Sequence, residues 1–581
     1  MLGALTAFWI SIMLLFIFGV IFAAGTIVSA IGGINESVKV DKNSVVYLPL
    51  SGLIEERQTA VEFAAFLNNE DRPASLDDML RAISAAKGDD RIKGIFLDCR
   101  GASAGVATRM AVRRALSDFK SSGKWIVAYA DNYTQGDYYV ASVANNIYLN
   151  PVGMVDIRGL GSSVPFFKGL LDKLGVEMQI IKVGTYKSAV EPFILTSMSE
   201  PSREQTSVFL NNIWGQLTSD IHTSRNISVA NLNLMADSLT SFSGDAAIFV
   251  DNKLVDGLKY RREVEAFLKE KLGQKKDDSL KSVDYYSYLQ VADVPHEKSE
   301  KNKIAVYYAF GDIVDTGTQG ISAQQMVPDI INLAEDDDIK AMVLRVNSGG
   351  GSAFASEQIW EALGYFKSKG KKLYVSMGDY AASGGYYISC GADKIYAEPV
   401  TLTGSIGIFG MIPCIKQLTG NIGVNFDFVT TNPNAAFPTI MEPMTPLQRN
   451  VMQGEVNAGY ELFTKRCADG RHMPQDSIKV IGEGRVWDGI AAKKLGLVDT
   501  LGGLDMAVAD LAKVMNFKKY QVVSYPAPPK SFWDVLSDFD QQMKLRAVRE
   551  ELGPVYPLFR EYKTMMEMSP LQARVPFMII D

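Results

Sequence analysis

A chain of 581 residues is too long to close around one hydrophobic core, so two or more domains with fully buried sheets are expected. A formal net charge of -7 and the lack of any long Lys/Arg run exclude a sequence-wide basic surface, and with it nucleic acid as a partner. Cys99, Cys390, Cys414 and Cys467 are scattered without CxxC spacing, which argues against a zinc site or a disulfide scaffold, and no motif calls for a metal or cofactor.

Residues 2–35 carry no charged side chain and are rich in Phe, Ile, Leu, Val and Ala, enough for one membrane-spanning helix. A cleavable signal peptide is the alternative, with Val28-Ser29-Ala30 as its small-residue cleavage site. The basic leader is missing and the apolar stretch is long, so residues 1–35 read as a retained anchor. Orientation is poorly specified: Lys39 and Lys42 follow the segment beside Glu36 and Asp41, and large domains cross membranes largely regardless of such charges.

The rest of the chain is duplicated. The run WIVAYADNYTQGDYY from Trp125 aligns without a gap on LYVSMGDYAASGGYY from Leu373, an offset of 248. Asp131/Asp379, Gly136/Gly384, Tyr138/Tyr386, Tyr139/Tyr387 and Pro151/Pro399 fall in register. Upstream, IKGIFLDCRGASAG from Ile92 pairs with IKAMVLRVNSGGGS from Ile339, and VVYLPLSGLI from Val45 resembles IAVYYAFGDI from Ile304. In the first copy the pattern predicts a strand near 94–98, a helix near 106–121 and a strand over 125–130. The second copy predicts the same over 341–346, 355–369 and 373–377. Alternation of this kind implies α/β domains with strands buried on both faces. The boundaries follow as an N-terminal repeat over 36–271, a polar linker over 272–303, a C-terminal repeat over 304–525 and a helical tail over 526–581.

Each copy is a control for the other. Where the second has Ser383, between two alanines and two glycines, the first has Gln135; where the second has Ser348-Gly349-Gly350-Gly351, the first has Gly101-Ala102-Ser103-Ala104. Small residues permit a tight strand-to-helix turn with an uncovered hydroxyl, and a glycine turn brings N–H groups close to an oxyanion. A plain glycine-relieved turn is the bland alternative. The three histidines, His222, His296 and His472, sit in polar contexts without a patterned acidic partner, whereas a serine hydrolase can use lysine as its base. Lys187, in GTYKSAVEPF, aligns with Ala435, so the lysine survives only in the copy that lacks the serine. One composite site follows, with Ser383 from one half and Lys187 from the other. The lysine must then be neutral, which requires burial and a Glu191 that points away, each unit of pKa depression corresponding to about 1.4 kcal/mol of disfavoured charge. Ser405, replaced by Ile157 in the first copy, is a candidate to hold the amine, although a Gly-Ser turn accounts for it equally well.

These segments, GTYKSAVEPF, NSGGGSAFASE from Asn347, MGDYAASGGYYIS and TLTGSIGIFG, resemble the long, duplicated form of the signal peptide peptidase A (protease IV) family. The resemblance implies tandem Clp protease/crotonase-like domains behind a transmembrane helix. It also implies a membrane-anchored serine protease that degrades released signal peptides, with Ser383 as nucleophile, Lys187 as general base, Ser405 orienting the lysine, and the N–H groups of Gly350 and Gly384 as the oxyanion hole. A homo-oligomer, a tetramer by that resemblance, is implied, with its catalytic domain outside the bacterial cytoplasmic membrane. Gly349 departs from the family's usual proline and loosens the glycine turn. Two rival classes are an acyl-CoA enzyme on the same fold and a non-catalytic membrane scaffold.

Overall fold

The computed structural model describes residues 38–57, 74–317, 320–527, 571–575 and 579–580. The expected anchor over 1–35 lies outside the described residues, and among those described no helix is long and apolar enough to cross a membrane.

Both halves are built on a parallel sheet. The first runs in the order Ser282–Asp284, Ser44–Leu50, Ile92–Cys99, Trp125–Ala130, Asn146–Leu149, Gly257–Leu258. Its counterpart runs Gln521–Tyr525, Lys303–Phe310, Ile339–Ser348, Lys372–Ala382, and then forks to Lys394–Ala397 and Leu402–Gly404. Strands such as Ile92–Cys99 are apolar because helices cover both faces. Local signals set the helix starts: Ser75 Oγ accepts the Asp78 N–H at 3.2 Å at the head of Leu76–Gly88, whose first turn carries Asp77 and Asp78. The duplication extends to the long helices Glu200–Arg225 and Pro446–Arg471, each with a proline in its first turn and a left-handed residue, Asn226 or His472, at its end.

The halves interlock. The core of the first takes in Ala382, Leu402 and Val486 from the second, while the core of the second takes in Ile181 from the first. Polar contacts that are buried or partly buried cross the same boundary. Asp379 caps the first half's helix Val106–Lys120, accepting the Ala107 N–H at 2.7 Å and the Thr108 hydroxyl at 2.7 Å. Arg345 pairs with Glu56 at 2.9 Å, and Arg114 with Glu398 at 2.6 Å.

A third sheet joins the halves directly: Ile321–Ser322, Ile313–Val314, Gly350–Ser352, Leu571–Arg574, Phe409–Cys414, Glu177–Lys182. The last pair is antiparallel and brings first-half strand Glu177–Lys182 against second-half strand Phe409–Cys414.

Two expectations are corrected. The polar connector over 272–303 contains Ser282–Asp284, which adds a parallel edge strand beside Val45–Tyr47, and the helix Tyr285–Leu289, capped by Asp284. Val283, Tyr285 and Tyr288 are buried there, so these residues complete the first domain just as Gln521–Tyr525 completes the second. The described part of the tail is strand rather than helix: Leu571–Arg574 is paired on both sides. Residues 528–570 of the expected helical tail lie outside the described residues.

Candidate active site

Ser383 follows the strand Lys372–Ala382 and heads the helix Gly384–Ser389. Its φ of 55° and ψ of -113° are strained for a residue with a side chain, and the turn is held by Ser383 N–H donating to the Gly404 carbonyl at 2.8 Å. Alanines before it and glycines after it are what allow this turn. Behind it, Tyr386, Tyr387 and Ile388 are buried, so the helix is anchored on its apolar side.

Lys187 arrives from the other half. The strand Glu177–Lys182 continues through Val183, whose N–H donates to the Ile408 carbonyl at 3.1 Å, into a turn clamped by the Tyr186 N–H on the Glu483 carbonyl at 2.9 Å. Gly484, at φ +75°, passes so close that a Cβ there would sit 2.7 Å from Lys187 Cβ. The amine therefore has one path, inward. Lys187 Nζ lies 2.7 Å from Ser383 Oγ and 3.1 Å from Ser405 Oγ, and donates to the Ser405 carbonyl at 3.2 Å.

Lys187 is 1% exposed, and burial alone pushes its amine well below the ordinary lysine range. Glu191 is buried nearby in sequence but turned away: its carboxylate accepts the Ser199 hydroxyl at 2.6 Å and the Ser199 N–H at 3.1 Å. A neutral amine against a serine hydroxyl is the arrangement in which lysine can take a proton. The structure thus brings Ser383, Lys187 and Ser405 together.

The two glycines lie beside them. Gly350 has φ +104°, and its missing Cβ would fall 2.8 Å from the Gly384 nitrogen. The Gly350 N–H donates to Ser348 Oγ at 3.1 Å. Sequence reasoning did not find Ser348 in this role, nor Gly484, whose signal is only a GEG turn far down the chain.

The histidines are engaged elsewhere. His222 Nδ1 lies 2.9 Å from the Ile227 carbonyl, His296 stacks on Tyr520 at 3.9 Å, and His472 ends a helix. The equivalent turn in the first half is filled by its own side chains. Gln135, at the serine position, accepts the N–H groups of Arg158 and Gly159 at 2.9 and 3.0 Å. Asp137 accepts the Gly101 and Ala102 N–H groups at 2.8 and 3.3 Å and is paired with Arg109 at 2.9 Å.

An α/β fold with this strand-to-helix turn is that of the Clp proteases, whose sequence profile matches residues 313–401. The profile of peptidase family S49 matches twice, at residues 118–275 and 365–518, once in each half. The chain belongs to peptidase family S49 and is a serine peptidase. It is 39% identical to Protease 4 of Salmonella typhi, over 78% of this chain and 74% of that one. It is 35% identical to Protease 4 of Haemophilus influenzae, over 84% and 82% of the two chains. A plant relative, the chloroplastic serine protease SPPA of Arabidopsis thaliana, is 31% identical over 86% of this chain and 74% of its own. The scaffold and acyl-CoA readings are set aside by this membership.

Proposed function

We propose that this peptidase is a membrane-anchored endopeptidase that degrades released signal peptides and similar apolar peptides. Ser383 attacks and Lys187 is the general base. Neutral Lys187 Nζ takes the Ser383 proton as Oγ bonds to the scissile carbonyl carbon. Charge on the former carbonyl oxygen is met by the N–H groups of Gly384 and Gly350, the latter shared with Ser348 Oγ. The protonated lysine gives its proton to the leaving amine, leaving an acyl-enzyme that water clears by the same steps in reverse. Ser405 holds the amine on line through both transfers. The observation that carries this reading is the 2.7 Å approach of Lys187 Nζ to Ser383 Oγ, with the lysine wholly buried.

The anchor is residues 1–35, the catalytic domain stands outside the bacterial cytoplasmic membrane, and the protein works as a homo-oligomer. An exposed apolar run, Ile422, Val424, Phe426, Phe428 and Val429, supports the view that part of this surface is covered in the assembly. No cofactor is needed. Labelling with a fluorophosphonate and cleavage of an apolar reporter peptide test the chemistry: both are expected to be lost in Ser383→Ala and in Lys187→Ala. Labelling of Ser383→Ala at the wild-type rate would refute the assignment.

A further inference from the structure

Lys187 sits at the point of a tight turn. The Ser188 N–H donates to the Tyr186 carbonyl at 2.8 Å, and Lys187 between them has φ -74° and ψ 78°, the geometry of an inverse γ-turn. A turn closed by one hydrogen bond is easily deformed, and any change in it swings the side chain at its apex, here the proposed base. The turn is held from outside by the side chain of Gln205.

Gln205 lies in the helix Glu200–Arg225 and is 4% exposed. Its Nε2 donates to the Tyr186 carbonyl and to Ser188 Oγ, both at 3.2 Å, one contact on each side of Lys187. Its Oε1 accepts the Val486 N–H at 3.0 Å, from the other half of the chain. The orientation of the amide is fixed, because turning it over would set its NH2 against the Val486 N–H and its oxygen against the Tyr186 carbonyl.

Val486 is tied to both serines of the site. In the antiparallel pair of Val486–Asp488 with Leu402–Gly404, Val486 stands opposite Gly404, whose carbonyl accepts the Ser383 N–H at 2.8 Å. The Arg485 carbonyl, one residue earlier, accepts the Ser405 N–H at 2.7 Å. One amide thus joins the turn of Lys187 to the strand that fixes Ser383 and Ser405.

The duplication supplies a control. Glu200–Arg225 and Pro446–Arg471 are both 26 residues long, starting from Ser199 and Thr445 and ending at Asn226 and His472. In that register Met198 matches Met444 and Arg203 matches Arg449, and Gln205 falls on Val451, which is half exposed. The copy that has Ala435 in place of the lysine therefore lacks the amide too. A neutral amide also fits its neighbour, since a carboxylate there would favour the charged form of an amine that must stay neutral.

We infer that Gln205 is a positioning residue of the peptidase, holding the γ-turn at the distance from Val486 that aims Lys187 at Ser383. It touches neither substrate nor the reacting atoms and acts through the turn. This rests on the peptidase reading above.

The test compares wild type with Gln205→Met, which keeps the length of the side chain and removes its three hydrogen bonds. The readouts are the rate constant and final extent of fluorophosphonate labelling, and kcat and KM for the reporter peptide. Gln205→Met is expected to label to the wild-type extent at a rate at least about tenfold lower, and to lose the same factor in kcat with KM within about twofold of wild type. A merely structural role would lower the extent, as the folded fraction falls, and leave the rate constant of the folded molecules unchanged. The loss is expected at every pH from 6 to 10, with the inflection where wild type has it, because burial sets the ionisation of Lys187. Ser188→Ala removes one of the two contacts on the turn and leaves Gln205 in place, so it keeps the test open should Gln205→Met not fold. It is expected to slow labelling at least about threefold, and to slow Gln205→Met by no more than about twofold, since both act through one contact. A wild-type rate constant in folded Gln205→Met or in Ser188→Ala overturns the inference and leaves the peptidase mechanism standing. So does a slow rate in Gln205→Met that recovers fully at high pH, which would make Gln205 a determinant of the lysine's ionisation rather than of its aim. Labelling of Lys187→Ala at the wild-type rate overturns the mechanism itself.

Discussion

Replacing Ser405 by aspartate should silence the enzyme by charging Lys187, the proposed base. Ser405 Oγ is 3.1 Å from Lys187 Nζ, and no carboxylate contributes to the electrostatics of that amine. At an effective dielectric of about 20, opposite charges 3.1 Å apart attract by about 5 kcal/mol, which is enough to hold the ammonium form across the neutral range. An ammonium cannot accept the Ser383 proton, so Ser405→Asp should label with a fluorophosphonate at least about 100-fold more slowly than Ser405→Asn, which offers a neutral hydrogen-bond partner of the same size. The assay is the labelling rate from pH 6 to 10. For Ser405→Asn and wild type the rate should climb about tenfold per pH unit up to a single inflection below the ordinary lysine value. For Ser405→Asp that climb should move to higher pH. Labelling of Ser405→Asp within tenfold of Ser405→Asn across the range would show that the neutral amine is not the base, and the reasoning would fail.

The same lysine should leave a mark on stability. Its folded value lies below its unfolded one, so between the two the unfolded chain binds more protons, and stability rises with pH through that window by up to about 1.4 kcal/mol per unit. Lys187→Met should therefore be more stable than wild type near neutral pH, with the gap closing toward pH 10 in denaturant titrations. Gly350→Ala should lose at least about 100-fold in peptide cleavage while remaining folded by circular dichroism, because a φ of +104° is strained for a residue with a side chain and a Cβ there would fall 2.8 Å from the Gly384 nitrogen, displacing the proposed oxyanion donors. Asp379→Ala removes the cap of Val106–Lys120 across the boundary between halves and should cost about 1–2 kcal/mol, read from the denaturation midpoint.

The parts of this site that were legible in the sequence are those that lie within short motifs. Ser383 and its small neighbours, the glycine turn and Lys187 each sit in a run whose counterpart in the other copy has changed, and the alternation of strands and helices gave the α/β class with boundaries close to those observed. The expected helix near 106–121 is Val106–Lys120, and the strand over 125–130 is Trp125–Ala130. The strand expected over 373–377 runs on to Ala382, since the Ala-Ala approach to Ser383 continues the sheet beside Leu402–Gly404. What local pattern could not reveal depends on distant edges. Leu571–Arg574 is a strand only because Gly350–Ser352 and Phe409–Cys414 offer it two open sides, and Ser282–Asp284 is one only because Val45–Tyr47 lies next to it.

Under the proposed Ser383/Lys187 mechanism, comparison of the two copies explains why neither would act alone. In the first, the Ser103 N–H, counterpart of Gly350's, donates to the Gly52 carbonyl at 2.7 Å, Asp137 holds the Gly101 and Ala102 N–H groups, and the serine position is a glutamine bonded to its own loop. Such a turn offers no hydroxyl to attack, and the counterpart of the Gly350 donor is already bonded. In the second, the turn is open, but Ala435 aligns with the lysine and is exposed, so the proposed base is not supplied by its own repeat. The antiparallel pairing of Glu177–Lys182 with Phe409–Cys414 is what repairs this, because it carries the lysine of one copy to the serine of the other. Mutations at that pairing should therefore lower the rate of acylation with Ser383, Lys187 and Ser405 all unchanged. On that mechanism the division of labour also sets the order of assembly: the peptidase should be silent until both halves have folded and docked.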